Sequence, residues 1–169
     1  SLNNIYSLAY QKSEKTPEAI LKLSEMMRYM LYESNEDAVL LTDEINYLHN
    51  YIELQKLRFK EKIFVDLQVD IDQADHRIMP LLLISFLENA FKHGVSTDEH
   101  KPIRIVIKVS SGRLYFKAEN AKSHLNKDQT KGVGLNNLKR RLQLGYPDQH
   151  TINIVESEHY YSSELFLYL

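Results

Sequence analysis

Four polar side chains interrupt an otherwise apolar segment, residues 80–93, and they are the first candidates for chemistry. They are Glu88, Asn89, Lys92 and His93. Helical positions three apart lie on neighbouring parts of one face, so Asn89 and Lys92 would point in similar directions. A carboxamide and an ammonium group among apolar residues cost free energy unless each has a partner. That partner is either backbone and water near the helix end or a bound ligand, and the spacing alone favours neither.

A second candidate is the glycine pair of residues 131–135, Lys-Gly-Val-Gly-Leu, which precedes a predicted helix. Glycines allow the backbone to approach a ligand closely, because they carry no side chain. The start of a helix turns unpaired N–H groups and a partial positive charge toward an anion. The pattern therefore indicates a phosphate-binding geometry, although a glycine pair by itself is common in turns.

Hydrophobic spacing predicts the elements that must position these residues. Spacings of three and four predict helices in the first third of the chain, from residue 2, from Pro17 and over residues 41–59. Beyond Lys60 the period changes to two, which is typical of strands. The remaining predicted elements are strands over 63–69, 103–109, 114–118, 151–155 and 164–169, and helices over 80–93 and 133–144. The turn at residues 110–113 predicts an antiparallel hairpin.

The composition limits the classes of function. The chain has 169 residues, of which 43% are hydrophobic and 26% are charged, as in an ordinary globular protein with one core and an attached helical element. A formal net charge of −2 gives no overall positive charge of the kind expected in a protein that binds nucleic acid. The absence of cysteine excludes disulfides and thiolate catalysis and fits a cytoplasmic setting. No apolar run is long enough to cross a bilayer, so we expect a soluble chain.

The two candidate segments, in this order, resemble known motifs. Residues 80–94, Pro-Leu-Leu-Leu-Ile-Ser-Phe-Leu-Glu-Asn-Ala-Phe-Lys-His-Gly, resemble the N box of the ATPase superfamily shared by histidine kinases, gyrase and MutL. Residues 132–142, Gly-Val-Gly-Leu-Asn-Asn-Leu-Lys-Arg-Arg-Leu, resemble the G2 box of LytS/YehU-type sensor histidine kinases. Leu2-Asn-Asn-Ile5 is similar to the end of that family's His-Phe-Leu-x-Asn-x-Leu-Asn phosphoacceptor motif, and residues 23–29 and 41–59 are similar to the helices that follow it. The resemblance covers essentially the whole chain.

The resemblance implies a role for individual residues. Asn89 and Lys92 would be the catalytic residues, with Asn89 holding Mg²⁺ between the phosphates of ATP and Lys92 neutralising phosphate charge. His93 would lie beside the adenine or ribose. The family's Asp-Asn-Gly box, whose carboxylate accepts the adenine amino group, reads Glu119-Asn120-Ala121 here, and residues 121–131 would form the lid over ATP. The residues implied to bind the nucleotide are Glu88, Asn89, Lys92, His93, Glu119, Asn120, Lys131, Gly132, Gly134, Leu135 and Asn137.

The resemblance also implies a fold and a division of the chain. We expect an α+β fold of the Bergerat type, a two-layer α/β sandwich whose mixed, mostly antiparallel sheet of about five strands carries helices on one face. Residues 60–169 would form the ATP-binding catalytic domain. Residues 1–59 would be the remnant of a helical dimerisation and phosphotransfer region with its linker helix, through which the complete protein forms a homodimer.

The implied reaction is transfer of the γ-phosphoryl group of ATP to a histidine and then to a response regulator, often one with a LytTR DNA-binding domain. None of the seven histidines lies in the His-Phe-Leu context, so the acceptor is expected a few residues before Ser1. We therefore expect the isolated chain to bind ATP without phosphorylating itself. The parent would be anchored in the bacterial inner membrane through parts absent from this chain, which would be its cytoplasmic portion without direct contact with nucleic acid.

Two other functions are compatible with the motifs. A serine kinase of the anti-sigma-factor kind shares the N and G boxes, but the helical first third argues against it. A degenerate, nucleotide-free dimeric scaffold is the second alternative, because Glu119 and Ala121 depart from the family pattern.

Overall fold

The computed structural model describes residues 2–59, 62–94, 97–122 and 133–169, which form five α-helices, one π-helical turn and seven strands. The helical elements are α1 (Leu2–Tyr10), α2 (Thr16–Arg28), the π-helical turn (Tyr29–Glu33), α3 (Leu41–Lys56), α4 (Ile84–Gly94) and α5 (Val133–Gly145). The strands are β1 (Val39–Leu40), β2 (Val65–Ile71), β3 (Arg77–Ile78), β4 (Ile103–Ser110), β5 (Arg113–Ala121), β6 (His150–Glu156) and β7 (Tyr160–Tyr168). The predicted order of helices and strands is confirmed.

Five strands form one sheet in the order β2-β4-β5-β7-β6. Strands β2 and β4 run parallel, and the other neighbouring pairs are antiparallel, which confirms the mixed, mostly antiparallel sheet. The β4–β5 hairpin closes through Ser111 and Gly112, both at positive φ, as its turn requires. A separate short pair, β1 with β3, ties the start of α3 to the segment after β2.

The sheet has one buried and one polar face. In β4, Ile103, Ile105, Ile107 and Val109 are buried while the residues between them are not, and β5 shows the same alternation from Arg113 to Ala118. Helix α4 packs on β4 and β5, and α3 and α5 in turn pack on α4. The core therefore lies between one layer of helices and one face of the sheet, as expected for a two-layer sandwich.

The helical segment formed by α1, α2 and the π-helical turn packs on the rest of the chain through α3. Helix α2 lies along α3, where the Tyr29 and Tyr47 rings are 5.1 Å apart and Asn50 donates a hydrogen bond to Glu25. Large apolar side chains on the first two helices and the π-helical turn are exposed: Leu2, Tyr6, Tyr10, Ile20, Leu21, Met27, Met30, Leu31 and Tyr32. Because α3 contributes to the same core as the sheet, the division near residue 60 stays a prediction.

The predicted start of α4 at Pro80 is wrong. The helix begins at Ile84, and Leu81 has a φ of +53°, outside the helical region. Residues 80–83 form a turn whose backbone groups bond to side chains of other helices instead of to the first turn of α4. Among the described residues, no helix has both the length and the apolar content needed to span a membrane.

Candidate functional site

The four polar residues predicted from the apolar segment lie together on the second half of α4. Its apolar side buries Phe86, Leu87, Ala90 and Phe91 against the sheet and the neighbouring helices. The opposite side carries the polar residues: Glu88 and Lys92 are exposed, and Asn89 and His93 are half-buried. The sequence pattern therefore located one polar helix face correctly.

The end of α4 meets the end of β5 at a close contact between Gly94 and Asn120. A Cβ atom at position 94 would lie 2.0 Å from Nδ2 of Asn120, so the contact requires glycine. Asn120 is 1% exposed, and its Nδ2 donates a hydrogen bond to the carbonyl of Ala121 at 3.0 Å. Its Oδ1 accepts no hydrogen bond from the described residues, and a buried oxygen without a donor loses its hydration without replacement. The carboxamide oxygen is thus a buried acceptor without a donor at the end of α4.

Glu119 does not share this position, and its predicted contact with adenine stays a prediction. Successive side chains of a strand point to opposite faces, and Glu119 lies on the sheet face that carries Arg104 rather than on the helix side. Its carboxylate accepts hydrogen bonds from Arg104 (2.9 Å), Lys117 (2.5 Å) and the Tyr160 hydroxyl. Burial alone would raise the pKa of Glu119, but the bonds from Lys117 and Tyr160 bring the pKa below its usual value. Of the two predicted residues, only Asn120 lies on the side of the sheet that carries α4.

The start of α5 supplies the second predicted ligand-binding segment. Gly134 is exposed, and a Cβ atom there would meet no atom within 4 Å, so internal packing does not require this glycine. Leu135 is half-buried, Asn137 is exposed, and Leu138 and Leu142 anchor the helix in the core. Lys131 and Gly132 fall outside the described residues, as does most of the predicted lid.

Helix α5 packs against α4 and is fixed relative to it by Arg141. The guanidinium group donates hydrogen bonds to the carbonyls of Pro80 (2.5 Å) and Leu81 (2.8 Å), just before α4 begins. The second half of α5 therefore lies at the start of α4. We infer that the first turn of α5, with Gly134, lies toward the other half of α4, where Asn89 is found.

One buried carboxylate near the site was missed from the sequence. Glu44 of α3 is fully buried and accepts hydrogen bonds from the Tyr29 hydroxyl and from three backbone N–H groups ahead of α4. Burial raises the pKa of Glu44 more than these hydrogen bonds lower it. The burial of Glu44 could have been predicted from its spacing, because it lies three residues after Leu41 and four before Leu48 on the apolar face of the predicted helix.

The residues present fit a magnesium ion that is bound mainly through phosphate and water. No group of three or more histidine, aspartate or glutamate side chains that could hold a metal occurs among the described residues. Mg²⁺ keeps several water ligands and is commonly bound through one or two protein oxygens plus substrate phosphates. The half-buried carboxamide of Asn89 can supply one such oxygen.

Comparison with known proteins gives a consistent result. A family model described as "Histidine kinase" matches residues 1–63. The sensor protein kinase HptS of Staphylococcus aureus (strain USA300) is 29% identical over 152 residues, which cover 80% of this chain and 28% of that protein. The chain therefore spans less than a third of the length of this relative.

Solved structures show the same fold at low sequence identity. The histidine kinase AdeS of Acinetobacter baumannii has a TM-score of 0.53 and 15% identity, covering 99% of this chain and 81% of that one. A histidine kinase domain from the blue-light activated kinase EL346 of Erythrobacter litoralis has a TM-score of 0.56 and 13% identity, covering 92% of this chain and 75% of that one. The chain is thus similar in sequence to a sensor histidine kinase, and it shares the fold of solved histidine kinases.

Proposed function

We propose that this chain is the ATP-binding catalytic part of a two-component sensor histidine kinase of the LytS/YehU type. The observation that carries the proposal is the buried side chain of Asn120, which packs against Gly94 at the end of the helix bearing Asn89 and whose carboxamide oxygen has no donor among the described residues. The exocyclic amino group of adenine is a donor of the required kind. Asn120 would then recognise the base while the polar face of α4 contacts the phosphates.

The family resemblance suggests roles for further residues of the site. Asn89 would hold Mg²⁺ with a phosphate oxygen, and the exposed ammonium group of Lys92 would neutralise phosphate charge. His93 would lie next to the ribose or adenine, since it is one residue from Gly94. Gly134, with Lys131, Gly132, Leu135 and Asn137, would present backbone N–H groups and polar side chains to the phosphates at the start of α5.

The protein's contribution to phosphoryl transfer is positioning and charge neutralisation rather than covalent chemistry. Bound Mg²⁺ supplies neutralisation of the charge on the phosphate oxygens during transfer. Asn89 and Lys92 orient the triphosphate, Asn120 fixes the base, and the α5 amides stabilise negative charge near the leaving group. The γ-phosphoryl group is transferred to an imidazole nitrogen of a histidine, and from there to a response regulator.

The proposed partners are a second copy of the chain and a response regulator, including one of the LytTR type. The exposed apolar residues of α1, α2 and the π-helical turn support pairing of helices between two copies. Large apolar side chains on helices that pack on one side only are typical of a surface that is covered in the assembled protein. Membrane attachment of the parent protein, as proposed from the sequence, would involve other segments.

Calorimetric titration with Mg-ATP tests the binding part of the proposal. We expect heat of binding with the unmutated chain and its loss in Asn89→Ala. Asn153→Ala is the matched control, because Asn153 is exposed on the edge strand β6 and lies outside the proposed site. Equal binding by all three chains would contradict the role of Asn89, and no binding by the unmutated chain would support the nucleotide-free scaffold.

The chemistry of the transferred phosphate tests the catalytic part. Phosphohistidine is labile in acid, whereas phosphoserine is stable. A protein that carries both this chain and an acceptor histidine should incorporate acid-labile label from ATP, and the Asn89→Ala variant should not. Acid-stable label on a separate partner protein would favour the serine kinase instead.

A further inference from the structure

We propose that Glu44 is a positioning residue that ties the turn ahead of α4 to the helical segment, so that the geometry of the nucleotide site depends on where that segment lies. The inference rests on the proposed function, because α4 carries Asn89. It assigns a role to a residue that is distant in sequence from both nucleotide-binding motifs.

The carboxylate of Glu44 is held by four donors from two parts of the chain. Its Oε1 accepts hydrogen bonds from the Tyr29 hydroxyl (2.5 Å) and from the Leu81 N–H (2.6 Å). Its Oε2 accepts from the N–H groups of Leu82 (3.2 Å) and Leu83 (3.4 Å). Three consecutive N–H groups directed at one anion form a backbone nest, here placed at the positive end of the α4 dipole.

The turn that forms this nest is held from both sides. Glu44 binds its N–H groups, and Arg141 of α5 binds the carbonyls of Pro80 and Leu81. Leu81 has a φ of +53°, which a leucine rarely adopts unless the surroundings hold it in place. We therefore expect the turn to change conformation when the carboxylate is removed.

The burial of Glu44 makes its two sets of contacts depend on each other. The residue is 0% exposed, and no ion pair to a lysine or arginine is found within the described part of the chain. A buried carboxylate without a cation depends on its hydrogen-bond donors for stabilisation. If the Tyr29 hydroxyl moved away, the Glu44 carboxylate would keep only its hydrogen bonds from the backbone nest. The hydrogen-bond geometry at residues 81–83 would then change.

Tyr29 connects this carboxylate to the helical segment. It is the first residue of the π-helical turn that follows α2, and its ring packs on Tyr47 of α3. A shift of α2 along α3 would move the hydroxyl away from Glu44. Asn89 lies five residues after the start of α4, about 7.5 Å along the helix axis. A rearranged turn would change the direction of α4 and move the Asn89 carboxamide.

The test compares Glu44→Gln and Tyr29→Phe with Glu53→Gln. The first variant keeps the size of the side chain but presents an NH₂ group to donors. The second keeps the ring and removes only the hydroxyl. The third is the matched control, since Glu53 lies on the same helix and pairs with Lys56. Each chain is studied by amide hydrogen exchange at residues 81–83, by the NMR resonance of the Asn89 side-chain amide and by Mg-ATP affinity, at a temperature where all are folded.

We expect Glu44→Gln to speed amide exchange at residues 81–83, to shift the Asn89 side-chain resonance and to weaken Mg-ATP binding by up to about tenfold. That limit is reached if the free energy of one hydrogen bond to a charged acceptor is transmitted in full to the nucleotide site. Tyr29→Phe should produce the same changes to a smaller extent, and Glu53→Gln should produce none. A purely structural role would lower only the melting temperature.

The readouts separate this inference from the proposed function. Failure of the unmutated chain to bind Mg-ATP would contradict the proposed function, while the exchange rates and the Asn89 resonance would still decide the role of Glu44. Unchanged exchange and an unchanged Asn89 resonance in Glu44→Gln would overturn the inference. An unchanged exchange pattern in Tyr29→Phe would overturn the link to the helical segment.

Discussion

Substitution of Gly94 by alanine tests the contact between the end of α4 and Asn120. A Cβ atom at this position would lie 2.0, 2.2 and 2.3 Å from the Nδ2, Cγ and Cβ atoms of Asn120. These separations are far below van der Waals contact, so the Asn120 side chain or the helix end must move. The movement would displace the carbonyl oxygen that we propose as the adenine acceptor.

The expected loss of stability follows from opposing contributions. Alanine is favoured over glycine within a helix by up to about 1 kcal/mol, and Gly94 has no positive φ that would oppose the change. Overpacking of a buried site costs about 1–3 kcal/mol. Loss of the 3.0 Å hydrogen bond from Asn120 to the Ala121 carbonyl adds about 1 kcal/mol. Gly94→Ala should therefore destabilise the fold by roughly 2 kcal/mol, the steric cost exceeding the gain in helix propensity.

The assay combines thermal unfolding with Mg-ATP titration, and Gly134→Ala is the matched control. A side chain at 134 meets nothing within 4 Å, so this variant should keep or slightly raise its melting temperature while binding Mg-ATP more weakly. Gly94→Ala should melt about 4–8 °C lower than the unmutated chain and also lose affinity. A Gly94→Ala chain that melts at the same temperature and binds normally would refute the close contact with Asn120.

Three further substitutions probe the surroundings of the site. Arg141→Met should lower the free energy of unfolding by about 3 kcal/mol in urea titrations, because two hydrogen bonds from a charged donor are lost. The folded-state pKa of Glu119 lies below its unfolded value, so its carboxylate stabilises the fold above about pH 4.5 and loses that effect as the pH falls through the folded pKa. Glu119→Gln should therefore be less stable than the unmutated chain at neutral pH and show a shallower loss of stability on acidification, measured by thermal melts across pH. Gly112→Ala should lose about 1 kcal/mol, since φ is +71° there, without changing Mg-ATP affinity.

Hydrophobic periodicity predicted most of the fold because the elements here follow it closely. The period-two pattern of residues 103–109 appears in the structure as the buried face of β4, and the helix predicted at 133–144 is α5. Polar residues on the apolar segment led directly to one face of α4. The family model that matches residues 1–63 and the shared fold agree with a histidine kinase interpretation of the chain, while the roles of the motif residues stay predictions.

The faces of the sheet on which Glu119 and Asn120 lie were also predictable from the sequence. Leu114, Phe116 and Ala118 point into the core, so the next inward position of β5 is Asn120. Matching the short family box by residue type pairs its carboxylate with Glu119, which faces the other side of the sheet. Which of the two residues contacts adenine stays a prediction.

The start of α4 and the role of Glu44 could not be derived from local patterns. Proline is common at the first position of a helix, which made Pro80 a reasonable start. The turn at residues 80–83 is instead held by side chains 37 to 61 positions away in sequence. Spacing places Glu44 on a buried face, but only the folded chain shows which N–H groups compensate its charge.

A crystal structure of this chain with Mg²⁺ and a non-hydrolysable ATP analogue tests the central claim most directly. The account predicts phosphates between Asn89 and the first turn of α5, Mg²⁺ coordinated by the Asn89 carboxamide oxygen, and the adenine amino group about 2.9 Å from the Oδ1 atom of Asn120. A nucleotide bound elsewhere, or an adenine amino group paired with Glu119, would contradict it.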